Sequence, residues 1–154
     1  MKDKIYLAGP DVFRVDAKEH LEKLKVLCAK YGYSAISPFD NESTSSEDIF
    51  YANTKLIDKC DILIANIEPF RGPNVDDGTA FEIGYAYAKD KRIYGYTPTK
   101  ETTLYNLTKS YGAGKQFPIV EQFDLPRNLM IVHAIEYTGG TIETSFEEVL
   151  KQLK

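Results

Sequence analysis

The sequence predicts an α/β fold of the flavodoxin-like type, in which a doubly wound, parallel, five-stranded sheet carries helices on both faces. Strand-like and helix-like segments alternate along most of the chain, which is the pattern of such a sheet. Residues 61–67 form an apolar run without polar alternation, which is typical of a central parallel strand covered on both faces. With 154 residues and 43% hydrophobic content, residues 1–154 suit a single domain with a proper core.

The predicted strands are short apolar or β-rich runs that end at Gly, Pro or polar residues. They lie at residues 4–10, 33–37, 61–67, 92–96 and 130–137. Residues 129–134 could equally be helical. Residues 97–126 are polar, contain Gly112 and Gly114, and are predicted as an excursion of helix or loop.

The predicted helices carry apolar residues at helical spacing and begin at capping residues. They lie at residues 16–31 and 47–57, in the stretch that follows the loop at 76–78 and ends at about residue 89, and at residues 146–150. Gly32 provides the stop of the first helix, and Thr44 or Ser46 provides the cap of the second. Residues around Thr144 and Ser145 are expected to cap the last one.

Composition and charge exclude several classes of function. The chain has 19 basic and 23 acidic residues, a net charge of −4 and no basic cluster, so a nucleic acid polymer is not expected as a partner. Cys28 and Cys60, with no CxxC and no secretory signal, predict a reducing, cytoplasmic environment without disulfides or a metal site. No apolar run approaches membrane-spanning length, so no membrane partner is expected.

Residues 76–86, DDGTAFEIGYA, contain the candidate site. This stretch predicts a loop with two carboxylates, Asp76 and Asp77, that leads into a helix with Glu82 in its first turn. Thr79 and Glu82 fit a capping box, which is a purely structural role. A position in the first helical turn favours an ionised Glu82, whereas the two neighbouring aspartates oppose its ionisation.

The predicted sheet places further residues beside this helix start. In a doubly wound sheet, ligands bind at the carboxyl ends of the strands, near the point where the strand order reverses. Gly9 lies at the end of the first strand-like run, and Asp77 and Gly78 belong to the loop after the third, so all three are expected to bind substrate. A GxGxxG fingerprint is absent, and Asp11 stands where a phosphate cradle would need small, uncharged residues. The edge is therefore expected to bind a neutral, hydroxyl-rich ligand.

Six segments spread over nearly the whole chain carry a family resemblance. They are KIYLAGP at 4–10, PFDN at 38–41, DILIANI at 61–67, PFRG at 69–72, DDGTAFEIG at 76–84 and NLM at 128–130. Together they resemble the nucleoside 2-deoxyribosyltransferases, and the Asp-x-Gly-Thr-Ala-Phe-Glu-x-Gly pattern is the most specific of them.

The resemblance implies transfer of a 2-deoxyribosyl group between purine or pyrimidine bases, with 2′-deoxynucleosides and free bases as partners and no cofactor. Glu82 would be the nucleophile that attacks the anomeric carbon with net retention through a covalent intermediate, and Tyr6 would orient it. Asp76 and Asn128 would bind sugar hydroxyls. Asn128 would do so in the site of a neighbouring subunit, so a homo-oligomer, either a dimer or a hexamer, is expected.

Two features depart from the family pattern. Some members carry an Asp at the position of Asn53 that contacts the departing base, and an Asn can hydrogen-bond a base but cannot protonate it. Asp40 is then a candidate proton donor, and both residues are expected in the substrate site. The chain also ends in LKQLK at residues 150–154, without a tyrosine-bearing tail, so base preference does not carry over.

Two other functions stay open. One is an N-glycoside hydrolase for nucleosides or nucleotides on the same fold, in which water replaces the acceptor base. The other is a non-catalytic nucleoside-binding domain.

Overall fold

The computed structural model describes residues 3–153 and confirms the predicted sheet. Within this range, five strands form one parallel sheet in the order β2-β1-β3-β4-β5. Their bounds are β1 (Lys4–Ala8), β2 (Ser34–Ile36), β3 (Ile62–Asn66), β4 (Arg92–Tyr96) and β5 (Ile142–Glu143). This order is the flavodoxin-like one.

Six helices within the described residues cover both faces of the sheet. Their bounds are α1 (Ala17–Lys30), α2 (Ser46–Asp58), α3 (Asp77–Ala88), α4 (Leu104–Tyr111), α5 (Leu129–Tyr137) and α6 (Phe146–Gln152). Helices α1 and α6 pack on one face, and α2, α3 and α5 pack on the other. The fold therefore has three layers with two hydrophobic cores.

Alternation along β1 decides which side chains reach each core. Ile5 and Leu7 pack towards α1 and α6, whereas Tyr6 and Ala8 pack towards α2, α3 and α5. All five residues of β3 are buried, which explains why its sequence lacks polar alternation. Each fully buried aliphatic side chain contributes about 1.5–3 kcal/mol, so the central strands are firmly held and Tyr6 has a fixed position.

The predicted last strand at residues 130–137 is wrong, and the helical alternative is confirmed. Asn128 caps α5 because its Oδ1 accepts the backbone N–H of Met130 at 3.0 Å. Ile131 and Ile135 then fall four residues apart on the face that packs against the sheet. The fifth strand is instead β5, which pairs with β4 through only two residues.

The capping residues of the other helices differ partly from expectation. Ser45, rather than Thr44 or Ser46, caps α2 by accepting the N–H of Asp48 at 3.1 Å. Ser145 caps α6, as the sequence predicts. The excursion between β4 and α5 contains the helix α4.

The strand order places a crevice between β1 and β3. The chain leaves β1 for β2 on one side and continues to β3 on the other, so the loops after β1 and β3 diverge at the carboxyl ends of these strands.

The described helices include none that is long and apolar enough to span a bilayer.

Candidate active site

A pocket of about 250 Å³ opens at the carboxyl ends of β1 and β3. Three segments form its wall: the turn after β1, one face of α2 and the start of α3. The lining residues are Gly9, Val12, Phe13, Phe50, Asn53, Thr54, Ile57, Asp76, Gly78, Phe81 and Glu82. Its location is the one at which ligands bind in open parallel sheets.

A hydrogen bond from Tyr6 to Glu82 joins β1 to α3 beside this pocket. The fully buried Tyr6 donates its hydroxyl to Oε2 of Glu82. Glu82 is the sixth residue of α3, so its predicted place in the first turn is wrong. Because the helix-dipole effect fades within the first turn, α3 contributes little to keeping this carboxylate charged.

The pKa of Glu82 is raised from 4.5 to about 7. Burial of the carboxylate is the largest cause, the Tyr6 hydrogen bond acts in the opposite direction, and the negative charge of Asp76 raises the pKa further. The pKa of Tyr6 is also raised, chiefly by burial and then by Glu82, so its hydroxyl keeps its proton. The pair therefore combines a carboxyl group that titrates near neutrality with a permanent hydrogen-bond donor.

Asp76 caps α3 with one of its two carboxylate oxygens. Its Oδ2 accepts the backbone N–H of Thr79 at 2.9 Å and the Thr79 hydroxyl at 2.8 Å. The predicted Thr79–Glu82 capping box is therefore wrong, because Thr79 is already inside the helix. Oδ1 of Asp76 has no hydrogen-bond partner among residues 3–153 and can accept a hydroxyl from a ligand in the pocket.

Phenylalanine rings form the apolar walls of the pocket. Phe13, Phe50 and Phe81 all line it and remain about half exposed. The rings of Phe50 and Phe81 lie 5.6 Å apart between centroids, and Phe13 stacks on Phe70 at 5.3 Å. Aromatic walls of this kind suit a flat ring.

The sequence analysis names none of these three phenylalanines as pocket residues, although Phe81 belongs to the Asp-x-Gly-Thr-Ala-Phe-Glu-x-Gly pattern. Phe50 could have been found from helical spacing, because Phe50, Asn53 and Ile57 recur at intervals of three and four residues on α2. Phe13 carries no comparable signal, since it belongs to a 3-10 turn after β1.

A buried polar network lies behind Gly9. Asp11 accepts hydrogen bonds from Nδ2 of Asn66 at 3.1 Å and pairs with Nε2 of His20 at 2.8 Å. Gly9 has a φ of 155°, and an added Cβ would stand 2.7 Å from Cβ of Asn66 and 2.5 Å from Asp11 Oδ2. Only glycine fits this position, and the charge of Asp11 is directed at its partners instead of the pocket.

The structure brings most of the predicted site residues together. Gly9, Asn53, Asp76, Gly78 and Glu82 line the pocket, and the catalytic candidate Tyr6 bonds to the last of them.

Three predicted residues lie outside the pocket wall in the part of the chain that the structure describes. Asp40 accepts hydrogen bonds from Nζ of Lys25 at 2.5 Å and from the backbone N–H of Ser37 at 2.7 Å. Asp77 is exposed at the first position of α3. Asn128 donates to Oε1 of Glu121 at 2.7 Å.

Asn128 lines a second, larger groove of about 580 Å³ between α3 and α5. Its neighbour Arg127 is fully buried and holds this part of the chain against the sheet. The Arg127 guanidinium donates to the carbonyl of Ile67 and to the hydroxyls of Thr97 and Thr99, each at 2.6 Å. Burial lowers the pKa of Arg127 to about 10. The sequence does not predict this arginine as a positioning group for Asn128.

No group of three or more His, Cys, Asp or Glu side chains suited to a metal ion occurs among residues 3–153. The titratable side chains that line or adjoin the pocket include Glu82, Asp76 and Tyr6.

The fold and the site define a flavodoxin-like α/β protein with a buried carboxylate–tyrosine pair in a small, aromatic-walled pocket. The family model for nucleoside 2-deoxyribosyltransferase matches residues 5–130, and the chain belongs to this family.

Two solved structures and one curated protein are similar to this chain. The 2-desoxiribosyltransferase from Leishmania mexicana is 31% identical, with a TM-score of 0.81 over 97% of this chain and 95% of that one. A CMP N-glycosidase from Clostridium botulinum, 19% identical, shares the fold with a TM-score of 0.51 over 97% of this chain and 96% of that one. An uncharacterized protein from Schizosaccharomyces pombe is 38% identical over 103 residues, which are 60% of this chain and 49% of that protein. The chain thus matches about half the length of this curated relative.

Replacing Glu82 by Gln is expected to stabilise the fold at neutral and alkaline pH. Because the folded state holds the Glu82 proton more tightly than the unfolded state, wild-type stability falls as the pH rises from 4.5 to about 7. The loss is at most about 3 kcal/mol, and about 1–2 kcal/mol once solvent access to the half-buried side chain is considered. Urea unfolding near neutrality and in acid measures the difference.

The matched control is Glu101→Gln, because Glu101 is exposed. Glu82→Gln should be the more stable protein at about pH 8 and should equal wild type below about pH 4.5. Equal stability of Glu82→Gln and wild type at both pH values would show that burial does not raise this pKa.

Proposed function

We propose that the protein transfers 2-deoxyribose between nucleobases, with Glu82 as the nucleophile. The observation that carries this proposal is the Tyr6–Glu82 hydrogen bond beside a pocket with aromatic walls at the switch point of the sheet. A carboxylate in such a place can capture the anomeric carbon of a nucleoside whose base lies against the phenylalanines. Membership of the nucleoside 2-deoxyribosyltransferase family supports the same chemistry.

The proposed reaction has two displacements. In the first, a Glu82 carboxylate oxygen forms a bond to C1′, the C1′–N bond breaks, and its electron pair leaves with the base, which takes a proton from water or an acid. In the second, a ring nitrogen of another base attacks C1′, the bond from C1′ to the Glu82 oxygen breaks, the base releases its ring N–H proton to water or another proton acceptor, and Glu82 is again a carboxylate. Two inversions give net retention.

Tyr6 and Asp76 have distinct roles in this scheme. The Tyr6 hydroxyl holds one oxygen of Glu82, which leaves the other oxygen to meet C1′. Oδ1 of Asp76 accepts a sugar hydroxyl while Oδ2 keeps the cap of α3. Transfer would use deoxynucleosides and bases of the cytoplasm, where we expect the protein to act.

Base exchange and a covalent adduct test the proposal. Wild-type protein with a 2′-deoxynucleoside and a second free base is expected to form the exchanged nucleoside, measured by liquid chromatography. With deoxynucleoside alone, intact mass should show an added deoxyribosyl group. Glu82→Gln should lower exchange by at least about a thousandfold and abolish the adduct, because the nucleophile is gone.

Glu101→Gln is the matched control and should keep both the exchange and the adduct. If the base is released but no exchanged nucleoside forms at any acceptor concentration, the reaction is hydrolysis and not transfer. Binding without turnover, equal in wild type and Glu82→Gln, would point to a nucleoside-binding domain instead.

The pH profile of kcat/KM is expected to rise through about pH 7, because Glu82 must be ionised to attack. Tyr6→Phe removes the hydrogen bond that lowers the pKa of Glu82, so the rise should move to higher pH. Asp76→Asn removes a negative charge that raises this pKa, so the rise should move to lower pH. Steady-state kinetics across the pH range measure both shifts.

Tyr31→Phe is the control for this pair of variants. Tyr31 also donates to a carboxylate, Glu147 at 3.1 Å, but it is partly buried against the core on the other face of the sheet. Its pH profile should equal that of wild type. A shift of Tyr6→Phe and Asp76→Asn in the same direction would contradict the assigned roles.

We further propose that a second copy of the chain covers the groove that contains Asn128, which brings this amide to a neighbouring site. Met130 and Tyr137 line the groove and are 72% and 77% exposed, so α5 presents apolar surface to solvent there. A dimer or a hexamer would bury them.

Met130→Lys is expected to weaken association and to lower exchange activity, because a charge cannot be buried in the apolar contact without cost. Sedimentation velocity measures the oligomeric state. Val26→Lys, at a position 58% exposed on α1, is the control and should change neither property. A wild-type protein that is strictly monomeric and fully active would exclude this arrangement.

A further inference from the structure

Behind the Glu82 pocket, a histidine bonds to a buried carboxylate that the proposed reaction does not use. Nε2 of His20, on α1, lies 2.8 Å from Oδ1 of Asp11, which is only 6% exposed. The other oxygen, Oδ2, accepts a hydrogen bond from Nδ2 of Asn66 at 3.1 Å. Among residues 3–153, the Asp11 carboxylate has no further hydrogen-bond donor. Because a buried carboxylate is costly unless donors surround it, the loss of either partner would leave Asp11 poorly compensated.

Asn66 offers Asp11 only a shared donor. Its Oδ1 accepts the backbone N–H of Glu68 at 3.1 Å, which fixes the direction of the amide. Its NH2 group then donates both to Asp11 and to Oε1 of Glu68, each at 3.1 Å. The guanidinium of Arg14, the cation of the same turn, bonds to Asp16 instead. Within the part of the chain that the structure describes, the histidine is therefore the donor that Asp11 does not share with a second carboxylate.

Asp11 supports the turn that forms one side of the pocket. It belongs to the 3-10 turn after β1, together with Phe13. A Cβ added at Gly9 would stand 2.5 Å from Oδ2 of Asp11, so the carboxylate lies directly behind Gly9. Gly9 and Phe13 both line the pocket. A shift of the carboxylate would therefore displace these two residues, whereas Tyr6 lies within β1 and Glu82 lies on α3.

We infer that His20 is a positioning residue for the substrate pocket and acts through Asp11 on the turn that carries Gly9 and Phe13. This inference rests on the proposed function, because it takes the pocket of Glu82 as the substrate site. With the histidine in place, the carboxylate stays buried and the Phe13 ring keeps its place in the aromatic wall. Without it, the carboxylate turns towards water to recover donors, and the turn follows. Substrate then binds more weakly while the reacting groups keep their geometry, so KM changes and kcat does not.

Steady-state base exchange by three α1 variants tests this split. His20→Leu removes the donor, and KM for the 2′-deoxynucleoside is expected to rise about tenfold with kcat within about twofold of wild type. His20→Gln keeps an N–H that can reach Asp11 and should restore most of the KM. Lys23→Leu is the matched control, because it breaks an exposed ion pair with Glu19 on the same helix, 2.7 Å long, and it should change neither constant.

An unchanged KM in His20→Leu would overturn the inference, and so would a loss of kcat as large as the rise in KM. Equal KM values for His20→Leu and His20→Gln would show that the N–H donor is not what positions the turn. Melting temperatures establish that the variants are folded, and His20→Ala carries the same test if His20→Leu does not fold.

A second substitution locates the effect in the turn. In a Phe13→Ala protein the ring that His20 positions is already gone, so adding His20→Leu should raise KM by at most about twofold. A tenfold rise in both backgrounds would overturn the route through Phe13, because a merely structural loss would act equally in both.

A fluorescent reporter detects the movement itself. The chain has no Trp, so Phe13→Trp places a single indole in this wall. Adding His20→Leu should lower the steady-state anisotropy of this indole and shift its emission maximum, whereas adding His20→Gln should change neither. Identical anisotropy and emission in all three proteins would contradict displacement of the turn.

Equilibrium binding separates this inference from the proposed function. If wild type forms neither exchanged nucleoside nor adduct, the transfer function fails, and about tenfold weaker binding of 2′-deoxyadenosine or 2′-deoxyuridine by His20→Leu still supports the positioning role. If wild type exchanges bases and His20→Leu binds these nucleosides as tightly as wild type does, the positioning role fails and the transfer function stands. A wild type that neither binds nor converts them would overturn both.

Discussion

The Tyr6 hydroxyl and the Glu82 carboxylate meet where the sheet and the α2–α3–α5 layer touch, and the site depends on this hydrogen bond. A carboxylate placed there without a donor would be expensive to ionise, and a tyrosine hydroxyl buried there without an acceptor would also lose stability. The bond holds one oxygen of Glu82 still and moderates a pKa that burial raises to about 7. Burial between the apolar layers disfavours the charged form of Glu82, and the Tyr6 hydrogen bond partly offsets this effect.

Much of this arrangement could be predicted from the chain because its signals are local and strong. The apolar run of β3 indicates a central strand, and the order of strands and helices then fixes where the crevice lies. Residues 128–137 were harder, since a nine-residue apolar helix and a strand share the same composition. The capping of α3 was also ambiguous in sequence, because both Asp76 and Thr79 precede a partner at the required spacing of three.

Other features of the site depend on distant parts of the chain and could not be predicted. The pKa of Glu82 depends mainly on burial, which local spacing does not determine. The role of Arg127 requires Ile67 and Thr97 to converge from two strand ends. Nδ2 of Asn41, twelve residues earlier, donates to Oδ1 of Asn53 and thereby orients its amide. Asn41 belongs to a turn whose backbone geometry no motif describes.

The proposed sugar-binding role of Asp76 shares one carboxylate with the fold. Oδ2 starts α3, the helix that carries Glu82, whereas Oδ1 has no hydrogen-bond partner among residues 3–153. In the proposed function, selection on the ligand and selection on the helix would act on this single side chain. A variant that binds a different sugar would need another N-cap for α3 before Asp76 could be replaced. We therefore expect sugar recognition to change more slowly in evolution than the residues of α2 that line the pocket.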